Sequence, residues 1–386
     1  MFIEFHILQN FAPANLNRDD TNTPKDCVFG GYRRARISSQ CIKSAIRKEF
    51  PNHIEDLKGI RTKSMYKLVK DELIKSDIDA ETIKDVVFDL IGKIYTSISK
   101  KDKTSVLLFL DNNEVVSIAN KIKDNSENII EIQEAITSKD KKAADMLKNL
   151  VESIKKEYEK EYKERKISVN APDIALFGRM VADNANLNID AACQVAHAIS
   201  TNKVDMEFDY WTAVDDIDIE GEQGAGMLGL AGFNSSCFYR YSVINTDQLL
   251  HNLKDDELVK KSINAFLTSS IKAVPTGKQN SFAAQNPPDF IMVVVKDGQA
   301  PWSLANAFEK PAYSDKKHSL VENSMKQMND YWKELIKIYG NDGIKGAFIV
   351  STKELKELDH FKEFATDNCN ILWEKTEKLI DLPGAE

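Results

Sequence analysis

The sequence predicts an α+β protein: a body of short strands interleaved with helices, interrupted by one long helical insertion. Three observations carry this. Short β-like stretches alternate with amphipathic ones at both ends of the chain, the pattern of an α+β or split βαβ body. From about Lys58 to Lys166 the composition turns Lys/Glu/Asp-rich, with apolar residues at helical spacing. No internal repeat is visible, which argues against a solenoid or propeller.

In chain order, Phe2 to Leu8 has strand character, with Phe2, Glu4, His6 and Leu8 alternating against Ile3, Phe5 and Ile7. A polar loop, Ala12 to Cys27, follows, and then a helix ending before Pro51. In the insertion, Met65, Leu68, Val69 and Leu73 form one stripe and Ile83, Val86, Val87, Leu90, Ile91 and Ile94 another; the longest helix, Lys139 to Arg165, turns Leu147, Leu150, Val151, Ile154 and Tyr158 inward. Polar breaks near Asn125 and Ser138 read as loops. Beyond it the pattern predicts a strand at Ile174 to Phe177 and a helix at Ile189 to Ile199. Met206, Phe208 and Tyr210 alternate as in a strand until Trp211, and residues 221 to 232, GEQGAGMLGLAG, read as flexible. The remaining expectations are a strand at Cys237 to Ile244, a helix at Asp255 to Ile271, a strand at Phe290 to Val295, a helix carrying Met325, Met328, Trp332, Leu335 and Ile336, and a strand at Ala347 to Ser351.

The stretch with the strongest chemistry is Pro24 to Phe50, PKDCVFGGYRRARISSQCIKSAIRKEF. Between Cys27 and Lys48 it holds six basic residues (Arg33, Arg34, Arg36, Lys43, Arg47, Lys48) and no acidic one, in a chain of net charge −8. Ser38 or Ser39 can cap the helix that follows, because a serine oxygen accepts from a free first-turn N–H. Ile37 reads as a staple, with Ile42, Ala45 and Ile46 on the buried face. Lys43 and Arg47, four apart, share one face that the periodicity turns to solvent. Free amides, serines and arginines converging on a helix N-terminus make a phosphate-binding arrangement. An ordinary amphipathic helix with a solvated basic face competes with that reading. The missing acids, and Gly30-Gly31 just ahead, weigh toward function.

Composition excludes several classes. A hydrophobic fraction of 42% with 29% charged residues suits a globular protein, and the length allows two or three domains. No apolar run approaches the roughly 20 residues that span a membrane, and MFIEFHILQN has no basic n-region, so no membrane and a cytoplasmic location are expected. Five scattered cysteines without a CxxC read as reduced thiols, and six distant histidines lack metal-ligand spacing, so neither metal nor cofactor is expected. His197 reads as a satisfied core residue in an apolar helix. The acidic pI near 5.5 confines any nucleic-acid contact to a local groove.

Other motifs bear weighing. Gly224-Ala-Gly226-Met-Leu-Gly229 matches GxGxxG formally, but the preceding DDIDIE would repel a pyrophosphate and no helical pattern follows; a hairpin tip fits better. Tyr210 and Trp211 point to opposite faces of a strand, so one can offer a flat surface for base stacking, beside Thr212; an aromatic packed against the domain core is the competing reading. Met180, after Gly178-Arg179, is by default a gap filler. Lys141, Lys148 and Lys155 recur at seven, nearly in line on the long helix, among interleaved acids that fit a solvated face. Asp19-Asp20 and Asp215-Asp216 could hold a divalent ion through carboxylates.

NLNRDDTNTPKD (Asn15 to Asp26) followed by FGGYRRARISSQ (Phe29 to Gln40) resembles the N-terminal signature of the CasC backbone subunit of type I-E CRISPR Cascade. GRM (178–180), AHAIST (196–201), FDYWTAVDD (208–216), CFYRY (237–241) and SLANAFEK (303–310) continue the resemblance in order, while about 52 to 165 and the C-terminal tail match poorly. The resemblance implies a non-catalytic antiviral protein that clamps CRISPR guide RNA, oligomerises along it with other Cascade subunits and leaves most bases free to pair with target DNA. It implies a ferredoxin-like (RNA-recognition-motif-like) palm at 1–57, 189–202 and 233–386, helical fingers at 58–188 and a thumb hairpin at 203–232. Arg18, Lys25, Ser38, Gln40, Lys43 and Arg47 match guide-contacting positions. Arg33, Arg34 and Arg36 share the motif, in phosphate or fold roles. Arg179, Met180 and the Tyr210-Trp211-Thr212 run fall where the guide's flipped nucleotide lies, and Lys141, Lys148 and Lys155 where lysines touch target DNA. Tyr32 stands in a position often basic, and Tyr210-Trp211 replaces another aromatic pair, so which ring stacks is open. Related RNA-cutting backbone subunits use an acidic loop residue, which makes metal-dependent cleavage of target RNA the alternative activity.

Overall fold

The computed structural model describes the chain except residues 55–56, 100, 165–166, 168, 215–224 and 383–386. Its strands are β1 (Phe2–Ala14), β2 (Asp26–Phe29), β3 (Tyr32–Ile37), β4 (Ile60–Thr62), β5 (Leu108–Leu110), β6 (Cys193–Val195), β7 (Ala198–Ser200), β8 (Glu207–Val214), β9 (Ala225–Asn245), β10 (Phe290–Lys296) and β11 (Ile344–Ser351). Its helices are α1 (Ser39–Glu49), α2 (Met65–Ile74), α3 (Lys84–Ile94), α4 (Asn112–Asp124), α5 (Ser126–Thr137), α6 (Ala143–Lys163), α7 (Pro172–Phe177), α8 (Thr246–Leu253), α9 (Asp256–Lys272), α10 (Gln279–Phe282), α11 (Leu320–Tyr339) and α12 (Cys369–Glu377). The architecture is mixed α+β, in two units: Met1–His53 with Cys193–Asp247 and Lys260–Gly384, and Ile54–Ala192 with Gln248–Val259.

The first unit is built on an antiparallel sheet ordered β11-β10-β1-β9-β7-β3-β2, with β6 and β8 also paired to β9. β1 lies between β10 (Phe2 opposite Lys296, Leu8 opposite Phe290) and β9 (Phe2 opposite Asn245, Leu8 opposite Tyr239). Both faces of β1 are covered. On one, Phe5 meets Phe266 of α9 with ring centroids 5.3 Å apart. On the other, Leu8, Tyr239, Phe290 and Met292 pack with Met325, Met328 and Trp332 of α11. The alternation of β1 therefore does not separate core from solvent, because Glu4 and His6 are themselves fully buried.

Those two polar residues anchor an ionisable network. Glu4 sits 3.5 Å from the Lys296 ammonium and accepts from Tyr241 Oη (3.3 Å) and the backbone N–H of Trp302. His6 Nδ1 lies 2.8 Å from Tyr239 Oη, and the Lys296 ammonium stands 3.5 Å from the centre of the Trp302 ring. Burial pushes Lys296 down to about 8 against the pull of Glu4, and pushes Tyr239 and Tyr241 up.

The second unit holds a separate core from α2 to α6, including Leu73, Val87, Leu90, Ile118 and Ile154. α4 starts in a capping box: Asp111 Oδ1 accepts from Asn113 N, and Glu114 Oε2 accepts from Asp111 N, both at 2.8 Å.

Three expectations are corrected. Residues 174–177 are helical, because Pro172 at the first helical position pre-sets φ and Gly178 (φ 74°) closes the end. Residues 193–195 and 198–200 are strands: pairing with β9 (Cys193 opposite Ile244, Ile199 opposite Tyr239) overrides the helical spacing of Ile189, Cys193 and Ala196. Residues 225–232 belong to the long strand β9, and β8 continues past Trp211 to Val214. The remainder of the expected flexible stretch, 221–224, lies outside the described residues.

Candidate nucleic-acid interface

The basic stretch folds as a hairpin leading into a capped helix. β2 and β3 pair from Asp26 opposite Ala35 to Phe29 opposite Tyr32, leaving Gly30-Gly31 as a two-residue turn with both φ values positive (60° and 81°), which glycine alone adopts without cost. A β-carbon on Gly30 would also collide with the Glu309 carbonyl. Ser38, not Ser39, is the N-cap, its oxygen accepting from Cys41 N at 3.4 Å. Asn17 ties the preceding loop to this point: its Oδ1 accepts from Ser38 N and its backbone carbonyl from Lys25 N, both at 2.8 Å. Arg36 N in turn donates to the Lys25 carbonyl at 2.9 Å.

Around that junction cations gather. Arg36 donates through Nε to the Asp26 carbonyl (3.2 Å), and its Nη1 lies 3.2 Å from His197 Nδ1. Desolvation, then the charges of Arg36 and Lys25, hold His197 below the usual imidazole value, so at neutral pH its ring is an acceptor. The charges of Lys25 and Lys48 both bear on the Cys41 thiol, opposing the burial that raises it, and Lys43 bears similarly on Cys193. Arg18 is exposed and reaches Asn22 Oδ1 at 3.4 Å; Gln40 is exposed. The result is a surface of Lys25, Arg36 and Lys43 near the capped start of α1, with Lys48 in its last turn.

Several expected site residues serve otherwise. Arg34 is fully buried, and its guanidinium donates to the carbonyls of Ser200 (3.1 Å), Thr201 (2.7 Å), Phe308 (2.6 Å) and Glu309 (3.2 Å), so it fastens β3 to the 303–310 segment. Arg33 is exposed and ion-paired with Asp26. Arg47 is only 9% exposed, which corrects the expectation that it faces solvent. His197 is exposed between two strands, not packed in a core helix. Its role was legible only in the alternation of Val195, His197 and Ile199. Asp19 accepts from Thr21 N (2.9 Å), Thr21 Oγ1 (2.7 Å) and Thr23 N (3.1 Å), so this carboxylate folds its own loop; Asp215 and Asp216 lie outside the described residues. Among the described residues no group of three His, Cys, Asp or Glu could hold a metal ion.

The β8–β9 hairpin stands on this loop. Asn15 Nδ2 donates to the Gly232 carbonyl at 2.9 Å, and a β-carbon at Gly232 would lie 3.3 Å from Pro24 and Thr23. Tyr210 opposite Leu230 and Trp211 opposite Gly229 place the two rings on opposite faces. Tyr210 is 78% exposed; Trp211 (41%) lies flat over Gly229, where a β-carbon would strike its ring. Residues 225–229 run as strand with no helix following, so the GxGxxG match lacks the geometry of a dinucleotide site.

In the second unit, Arg179 is a buried fold residue. It pairs with Glu114 at 2.6 Å and donates to the carbonyls of Phe109 and Leu187 and to Tyr162 Oη, so it cannot reach a ligand. Next to it Met180 is 80% exposed, held out by reciprocal 2.9 Å hydrogen bonds between Arg179 and Ile189, which excludes the gap-filling role. Lys141 precedes α6 and so does not share its face; Lys148 is exposed; Lys155 reaches Glu159 at 3.9 Å.

The model of the Cas_CT1975 family (CT1975-like protein) matches residues 3–374, and the chain belongs to that family. A solved chain of a "CRISPR RNA-guided surveillance complex, pre-nicking" is similar, with 28% identity, TM-score 0.79, and coverage of 98% of this chain and 99% of that one. A chain of another "CRISPR RNA-guided surveillance complex" shares the fold, with 22% identity, TM-score 0.61, and coverage of 98% and 99%. No curated protein sequence matches the chain. Among the described residues no helix is long and apolar enough to cross a membrane.

Proposed function

We propose that this chain is a non-catalytic RNA-binding backbone subunit of a type I-E CRISPR surveillance complex, which oligomerises along guide RNA and presents it to target DNA. The observation that carries the reading is the gathering of Lys25, Arg36 and Lys43 about the Ser38-capped start of α1, a place built for phosphates, with Lys48 extending the basic surface from the last turn of the helix. The sheet unit corresponds to a ferredoxin-like palm, the helical unit to fingers and the β8–β9 hairpin to a thumb. Tyr210, the more exposed ring, is the candidate for stacking between successive guide segments, and Met180 for wedging a nucleotide. Lys141 and Lys148, both exposed and without an ion pair among the described residues, are the finger lysines placed to meet target DNA. The protein works in the cytoplasm beside other subunits of the complex.

The test is extraction of nucleic acid from the purified protein, expressed with a CRISPR array. Recovered RNA of uniform length is expected; protein free of RNA overturns the reading. Incubating the complex with magnesium and labelled complementary RNA should leave that RNA intact, whereas regularly spaced fragments would establish a nuclease.

A further inference from the structure

Residues 271–288 contain two lysines and no acidic residue, in a chain with an acidic excess. Within them, Pro275 to Asn286 forms a turn-rich segment of the first unit that is wedged against the loop carrying the basic site. Gly277 packs on the carbonyls of Asn15 and Leu16, where an added β-carbon would stand 2.7 Å from the Asn15 oxygen. The next residue along that loop is Asn17, which positions both Ser38 and Lys25. At the other end of the segment, Phe282 rests on Phe233 at the foot of the β8–β9 hairpin (centroids 5.8 Å apart), and Asn286 accepts from Gln9 Nε2 at 2.7 Å.

We infer that this segment is a further wall of the RNA site, with Lys278 taking a backbone phosphate and Thr276, Asn280 and Ser281 supplying uncharged donors to the same strand. The inference rests on the reading of the basic surface as a single-stranded RNA site.

The segment carries unpartnered polar side chains on a turn fixed by its own backbone and by Gln279. The side chains of Thr276, Lys278, Asn280 and Ser281 have no hydrogen-bond partner among the described residues. Lys278 and Ala283, which flank the short α10, hold left-handed backbone (φ 50° and 48°), which fixes the course of the turn. Gln279 closes the turn by donating to the carbonyls of Pro275 (2.9 Å) and Ala284 (3.3 Å), yet its own Oε1 is buried without a donor. The segment thus presents exposed Thr276, Asn280 and Ser281 and half-buried Lys278 between the hairpin foot and the loop that positions the capped helix.

The experiment is fluorescence-anisotropy titration of a labelled single-stranded RNA over a range of KCl concentrations, with the full chain as wild type, Lys278→Gln, Lys278→Arg, Lys25→Gln and, as a distant control on α11, Lys333→Gln. Loss of one phosphate contact should reduce the slope of log affinity against log salt by about 0.7. Lys278→Gln should show that reduction, Lys278→Arg should retain the wild-type slope, and Lys333→Gln should leave it unchanged. A wild-type slope for Lys278→Gln while Lys25→Gln is reduced overturns this inference alone. Wild-type slopes for both overturn the reading of the basic surface as well. A thermal melt of each variant identifies misfolding; if Lys278→Gln does not fold, Lys278→Met is read in its place against the same two criteria.

Discussion

The two units handle charge in opposite ways. The helical unit buries the ion pair of Arg179 with Glu114 among polar groups that include Asp111, Asp173 and the Tyr95 and Tyr158 hydroxyls, and many of its lysines meet acids: Lys70 and Lys84 with Glu81, Lys75 with Glu72, Lys121 with Glu157 and Glu161, Lys155 with Glu159, Lys160 with Glu164. The sheet unit buries a network of Glu4, His6 and Lys296, while on its surface Lys25 and Lys48 have no ion pair among the described residues. A cation with an acid one turn away offers a polyanion little. One without an ion pair, on the surface that leads to the capped start of a helix, offers more. The difference lies in where the acids stand: none between Cys27 and Lys48, and several along α6.

The comparison breaks most visibly at the buried pair. Arg179→Met should cost about 3–5 kcal/mol, because it leaves the Glu114 carboxylate buried and uncompensated. Arg33→Met, which removes a half-exposed pair with Asp26, should cost less than about 1 kcal/mol. Urea denaturation of both variants checks this, and equal losses would show that Arg179 is not the structural cation of its unit.

Next in size is a pH effect confined to the sheet unit. Lys296 titrates at about 8 when folded, below its ordinary value, so the unfolded chain binds the extra proton. The contribution of Lys296 to stability should therefore rise with pH from about 8 to about 10.4, at up to about 1.4 kcal/mol per unit, and be lost again as pH falls through that window. Tyr239 and Tyr241, pushed up by burial, oppose this above about pH 10, where unfolded tyrosines ionise, and the buried Cys193 and Cys237 thiols, also pushed up, oppose it from about pH 8.5. Denaturation at about pH 8 and about pH 9.5 should therefore show wild type gaining more stability, or losing less, over that interval than the double variant Glu4→Gln with Lys296→Met; equal changes in the two would remove Lys296 as the source.

On the surface, Lys25→Gln with Lys48→Gln should lower the salt slope of RNA binding by about 1.4, two contacts of about 0.7 each, with little change in melting temperature. Arg47 is unsuited to this test, since it is nearly buried and its replacement would disturb the fold. An unchanged slope would make the cations around α1 a solvated face.

How far the sequence revealed this follows from what each residue's neighbours are. The cap at Ser38, the glycine turn and the acid-free basic run are local, and each was legible. Arg34 and Arg36 are one residue apart from an alanine and identical in type, yet one is spent on four carbonyls from 200–201 and 308–309 while the other stays at the surface. That choice depends on segments far along the chain, so no local pattern holds it. The same holds for β6 and β7, which are strands because β9 offers them an edge. The glycines of 225–232, read as looseness, include one over which Trp211 lies flat. The 275–286 segment carries no periodicity, so its place beside Asn17 becomes visible only in three dimensions.

The smallest expected effect sharpens the comparison at its edge, on α6. Lys148 is exposed with no partner among the described residues, whereas Lys155, seven residues on, reaches Glu159. Both lie on the helix, but Lys155 is paired and less exposed than Lys148. If charge balance decides which cations serve nucleic acid, Lys148→Gln should reduce the salt slope of target-DNA binding by the assembled complex by at most one contact, about 0.7–0.9. Lys155→Gln should leave it unchanged, because removing that ammonium also frees a carboxylate already drawn away from solvent. Neither variant should shift stability by more than about 0.5 kcal/mol, the usual worth of a helical i,i+4 pair. The measurement is filter binding of target duplex to complexes reconstituted with each variant over a salt series. A reduced slope for Lys155→Gln with a wild-type slope for Lys148→Gln would show that pairing does not disable these lysines, and that the difference between the units is one of position and not of charge balance.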